Sequence, residues 1–88
     1  VGDWKLVFSK AVQKDARKLR DSGLKPKTQK LLAIVQDDPF TSPPRFEKLV
    51  GDLSGCYSRR INIQHRLVYE VDPEREIVHV LRMWTHHE

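Results

Sequence analysis

The chain has 88 residues, 39% of them hydrophobic and 32% charged, enough for a single domain over residues 1–88 with one modest core. That balance excludes an intrinsically disordered chain. No apolar stretch approaches the ~20 residues of a membrane helix, and Leu6 to Phe8 is too short for the core of a secretory signal. A net charge of +4 and a pI near 9.5 suit a polyanionic partner without requiring one. The single Cys56 cannot close an internal disulfide, so a reducing compartment, the cytoplasm, is expected.

Trp4-Lys5-Leu6-Val7-Phe8 is aromatic and branched and reads as a first strand ending at Ser9, a suitable helix N-cap. Val12, Ala16 and Leu19 fall at i, i+4 and i+7 and give the first helix a narrow apolar stripe. Lys10, Lys14, Arg17, Lys18 and Arg20 fill its wet side, with Asp15 and Asp21 among them. Ser22-Gly23 ends that helix, because glycine tolerates the left-handed position past a helix end. Pro26 suits the first turn of a second helix through Leu31, Leu32, Ile34 and Val35, which Asp38-Pro39 stops. A short turn joins the two helices into a hairpin.

Pro39-Phe40-Thr41-Ser42-Pro43-Pro44 is an extended loop, and strands follow it. Phe46 to Leu49 is a short one, followed by a turn region from Gly51 to Gly55. Tyr57 to Ile63 and Arg66 to Val71 form a hairpin, Asp72-Pro73-Glu74-Arg75 makes the next turn, and Ile77 to Trp84 is the last strand. This order predicts an α+β fold with the helices on one face of a mainly antiparallel sheet. By the two-residue strand period, Leu67, Tyr69 and Val71 meet the helices, while Arg66 points to the open face.

The polar residues offer several chemistries. The terminal Thr85-His86-His87-Glu88 reads as a tag remnant, as half of a metal site, or as catalytic groups. Adjacent histidines on a strand point to opposite faces, and no cysteine cluster or i, i+4 histidine pair accompanies them, so no metal is expected. Cys56 fits a buried, inert thiol. RNA phosphodiester cleavage needs a base for the 2′-hydroxyl, an acid for the departing 5′-oxygen and a cation for the phosphorus oxygens. It needs no cofactor, since the nucleophile belongs to the substrate. Glu47, Arg66 and His86 or His87 are candidates for these roles, and Lys48, Arg59 and Arg60 for gripping flanking phosphates. Each residue equally suits a solvated surface, and spacing alone leaves both readings open.

The stretch Phe46-Glu47-Lys48-Leu49, then Leu53-Ser54-Gly55, Tyr57-Ser58-Arg59-Arg60-Ile61 and His65-Arg66-Leu67-Val68-Tyr69, closely resembles the YoeB/Txe family of bacterial toxins. That family is part of the RelE-type superfamily of toxin–antitoxin systems. Asp38-Pro39-Phe40 and the C-terminal histidine extend the resemblance over nearly the whole chain. It implies a RelE-like fold and a ribosome-dependent endonuclease that cuts mRNA in the A site of the 70S ribosome. By position it assigns the catalytic glutamate to Glu47, the transition-state arginine to Arg66 and the general-acid histidine to His86. Lys48 and Arg59 match or lie near basic residues that contact RNA phosphates in relatives. The implied products carry a 2′,3′-cyclic or 3′-phosphate and a 5′-hydroxyl.

One position departs from the family: relatives usually end His-Tyr, whereas His87 stands here, which leaves the division of labour between His86 and His87 open. The implied protein partner is a cognate YefM/Axe-like antitoxin whose acidic segment covers the basic face. Relatives often form homodimers, an option the sequence leaves open. Two other functions compete: a non-catalytic ribosome or RNA binder, and a gyrase-poisoning toxin of the same fold.

Overall fold

The aromatic and branched opening run forms strand β1, Lys5–Phe8, in a computed structural model that describes residues 3–42, 45–51 and 55–83. Helix α1, Lys10–Asp21, starts at Ser9, whose hydroxyl oxygen accepts from Val12 N–H at 3.2 Å. This satisfies one of the orphan donors of the first turn. The helix stops at Ser22, where Gly23 takes φ of 79°. Helix α2, Lys25–Asp37, carries its proline in the first turn and ends at Asp38. Asp38 Oδ1 then accepts from Phe40 N–H at 3.0 Å and turns the chain out of the helix.

Four strands follow: β2, Phe46–Lys48; β3, Cys56–Arg60; β4, Arg66–Asp72; and β5, Ile77–Arg82. Among the described residues they form one sheet with β1, in the order β1-β5-β4-β3-β2. The β2–β3, β3–β4 and β4–β5 pairs are antiparallel, while β1 lies parallel to β5 at one edge. The β3–β4 connection is pinned by Asn62, whose Oδ1 accepts from Gln64 N–H at 2.9 Å and His65 N–H at 2.7 Å. This tight turn fixes the start of β4, and therefore Arg66.

The core joins Val12 and Leu19 of α1 and Leu31 and Val35 of α2 to Ile61, Leu67, Tyr69, Val78, Val80 and Met83. Leu67 and Tyr69 thus face the helices, as the two-residue period requires. Helix α1 departs from the expected stripe, because Ala16 is exposed and Asp15 is 2% exposed. Asp15 is no part of the wet face: its carboxylate binds the Arg82 guanidinium and the Met83 N–H. In the second hairpin the first strand ends at Arg60 rather than Ile63. Pro43-Pro44, Asp52-Leu53-Ser54, Trp84 and the His86-His87 pair lie outside the described residues. No helix among those described is long and apolar enough to cross a membrane.

Candidate active site

Strand register decides which side chains meet. Glu47 on β2 pairs with Ser58 on β3, and Ser58 pairs with Val68 on β4. Val68 in turn pairs with Arg82 at the end of β5, beside a bulge between Val68 and Tyr69. One row therefore crosses four strands from Glu47 to Arg82. One step along the sheet, Arg60 pairs with Arg66. Directly opposed residues share a face, so Glu47, Ser58, Arg60 and Arg66 lie together on the open side. With Arg45 they line a cleft of about 300 Å³.

Inside this cleft Arg66 Nη1 lies 3.6 Å from Glu47 Oε1, with the two side chains 27% and 50% exposed. That separation is an ion pair but exceeds a good hydrogen bond, and partly exposed pairs of this kind hold their partners weakly. A weakly held guanidinium of this kind can exchange its carboxylate partner for an entering anion. The hydroxyl of Ser58 is buried and lacks a hydrogen-bond partner among the described residues. Leaving such a group unsatisfied costs about 1–3 kcal/mol, and register sets it beside Glu47.

Of the expected phosphate contacts, Arg59 is corrected. Arg59 is 1% exposed and points to the helix side. Its Nε donates to the Tyr69 hydroxyl at 3.0 Å, and its Nη2 donates to the carbonyls of Pro39 and Thr41 at 3.0 and 2.8 Å. Its guanidinium carbon also sits 4.9 Å from the centre of the Phe46 ring. Its guanidinium is closed off from the cleft that holds Glu47 and Arg66. Lys48 is exposed, but it pairs with Tyr57, in the row of the other face from Glu47. Arg60 does line the cleft. Arg45 and Ser58 were missed, although the two-residue period marks them: Arg45 stands two before Glu47, and Ser58 two before Arg60. His86 and His87 lie outside the described residues.

Cys56 is buried, and burial, reinforced by Glu70, pushes its thiol above the ordinary range. Burial also pushes the Tyr69 phenol up, against the opposing pull of Arg59. Both groups keep their protons longer in the fold than in the unfolded chain, so their contribution is complete below the unfolded values of about 8.5 and 10. Stability must fall as pH rises past those values. The urea midpoint is expected to be lower near pH 10 than near pH 7.5, and Cys56→Ala should remove part of that decline. A midpoint unchanged across the interval contradicts the assignment.

A two-helix hairpin packed on one face of a mixed five-stranded sheet is a RelE-like fold. The YoeB/ParE toxin from Agrobacterium tumefaciens has the same fold, with a TM-score of 0.84 at 29% identity, covering 94% of this chain and 99% of that one. The YoeB-YefM complex from Staphylococcus aureus matches with a TM-score of 0.79 at 29% identity, over 96% of this chain and 98% of that one. Toxin YoeB of Streptomyces coelicolor is 43% identical over 49 residues, which is 56% of this chain and 58% of that protein. The matched stretches span about half the length of the curated relatives. Residues 8–87 match the YoeB-like toxin family of bacterial type II toxin-antitoxin systems, and the chain belongs to that family.

Proposed function

We propose that this toxin is a ribosome-dependent mRNA endonuclease, an mRNA interferase, acting in the cytoplasm on message held in the ribosomal A site. The observation that carries the reading is the Glu47–Arg66 pair in an arginine-lined cleft on the open face. Glu47 removes the proton from a 2′-hydroxyl, whose oxygen attacks the adjacent phosphorus. Arg66 offsets the charge that develops on the phosphorus oxygens. The bond to the 5′-oxygen breaks as a histidine, His86 or its neighbour His87, gives that oxygen a proton. The products are a 2′,3′-cyclic phosphate and a 5′-hydroxyl, with no outside nucleophile. Arg60 and Arg45 meet flanking phosphates.

Reach supports the histidine assignment. Strands lie about 4.8 Å apart, so Arg82 stands roughly three spacings, or ~14 Å, from Glu47 along the shared row. Three residue steps lead from Met83 to His86 in the sequence, and three steps span up to ~10 Å. The chain therefore leaves β5 close enough to bring a histidine to a phosphate bound at Arg66. A cognate antitoxin like the YefM of the Staphylococcus aureus complex supplies an acidic segment that covers the same arginines and blocks entry.

Mapping mRNA 5′ ends after incubation with 70S ribosomes tests this reading. Wild type is expected to leave 5′-hydroxyl ends at A-site codons, and Glu47→Gln none above background. Binding to ribosomes without any cut ends would leave a translation inhibitor that is no nuclease.

A further inference from the structure

Glu47 on β2 and Ser58 on β3 stand directly opposite each other in the strand register. Opposed side chains on one face have Cβ atoms about 4.5–5.5 Å apart, and both residues line the cleft with Arg45, Arg60 and Arg66. Ser58 is 3% exposed, and its hydroxyl has no hydrogen-bond partner among the described residues. The Glu47 carboxylate meanwhile holds Arg66 loosely, with Oε1 3.6 Å from Nη1.

A buried donor without an acceptor destabilises the free protein, and valine would fill the same strand position without that cost. Such exceptions call for a role in another state of the site. A hydroxyl closed off from solvent is a poor contact for an entering RNA oxygen, whereas the carboxylate across from it needs only a rotation of its own side chain. When a phosphate takes the Arg66 guanidinium, Glu47 loses that partner, and Ser58 faces it with an unused O–H. A hydroxyl suits the task better than a second cation. It holds one carboxylate oxygen without adding the positive charge that favours the ionised form and so weakens a base. The other oxygen keeps its lone pairs for the proton of the 2′-hydroxyl.

We propose that Ser58 is a positioning residue for RNA cleavage: once a phosphate occupies Arg66, the Ser58 hydroxyl donates to the Glu47 carboxylate and aims it at the 2′-hydroxyl. The proposal rests on the nuclease reading above. Ser58 touches no RNA and transfers no proton, so its loss slows the chemical step and spares the binding of message.

The test uses the full chain, with single-turnover cleavage of message on 70S ribosomes beside urea unfolding of the free protein. Ser58→Ala is expected to slow cleavage at saturating toxin about 10- to 100-fold, the scale of one hydrogen bond to a charged group. The toxin concentration giving half-maximal rate should not change. The urea midpoint should equal or exceed that of wild type, because alanine removes a donor that has no partner in the free protein. Ser58→Thr keeps the hydroxyl on a residue suited to strands and should restore most of the rate. A Ser58→Ala protein that cuts at the wild-type rate overturns the proposal. One that loses only affinity makes Ser58 an RNA contact, and one that unfolds at much lower urea makes it structural; either result overturns it too. So does Ser58→Thr if it folds as wild type and cuts as slowly as Ser58→Ala. Glu47→Gln runs alongside. If it cuts at full rate, the base reading fails and takes the Ser58 role with it. If it leaves no cut ends while Ser58→Ala is normal, only the Ser58 role fails.

Discussion

Glu47→Gln is expected to lower the rate of A-site cleavage about 100- to 10,000-fold, the usual contribution of a positioned base. The amide keeps the size and polarity of the carboxylate and loses only its ability to accept a proton. Arg66→Ala should cost about 100- to 1,000-fold, as for the loss of one charge-stabilising group. Arg66→Lys should recover little of this, because an ammonium lacks the planar fork that meets two phosphate oxygens together. None of these changes should lower the melting temperature by more than about 4–8 °C. The pair is separated by 3.6 Å and both side chains are partly exposed, a geometry worth at most about 1 kcal/mol. Single-turnover cleavage beside thermal melts gives both readings. A Glu47→Gln protein that cuts at near wild-type rate removes Glu47 from the base role. One that melts much earlier makes the pair structural instead.

The open face is readable from the strand period, provided that the period is applied to every adjacent pair. With Leu67 and Tyr69 facing the helices, the two-residue period puts Arg66 on the other side of β4. The same rule splits any adjacent pair. Arg59 and Arg60 cannot both face solvent, nor can Glu47 and Lys48 share a face. What the sequence does not say is which arginine of a pair goes in. That depends on Pro39, Thr41 and Tyr69 arriving to receive the guanidinium, from positions 10 to 20 residues away. Asp15 is harder still. Position 15 or 16 completes a stripe with Val12 and Leu19 equally well, and local apolarity favours Ala16. The fold selects Asp15 because Arg82 and the Met83 N–H, nearly seventy residues away, stand opposite it. The parallel pairing of β1 with β5 is likewise invisible to local pattern, since it joins the two ends of the described chain.

Arg59→Ala is expected to destabilise the fold by about 2–4 kcal/mol, a large share of the ~5–15 kcal/mol available to a small domain. The guanidinium ties the carbonyls of Pro39 and Thr41 to the Tyr69 hydroxyl, so it fastens the loop after α2 to the centre of the sheet. Removing it strips donors from these buried acceptors at about 1–3 kcal/mol for each one left unsatisfied. Tyr69 still donates to Pro39 O at 2.8 Å, which limits the loss. The Phe46 ring loses the cation beside it, and the cluster of Phe40, Phe46, Tyr57 and Tyr69 loses one wall. Phe46 immediately precedes Glu47 on the edge strand, so looser packing there also lets the Glu47 carboxylate drift. Arg59→Lys should cost nearly as much, since one ammonium cannot span donors set in the guanidinium plane. Urea unfolding of both variants beside Arg60→Ala separates the roles of the neighbouring arginines. Arg60→Ala should leave the midpoint unchanged and weaken cleavage, because Arg60 lies in the cleft on the opposite face. The reverse pattern, a stable Arg59→Ala protein that binds message poorly, would restore Arg59 to the RNA surface and refute its place in the core.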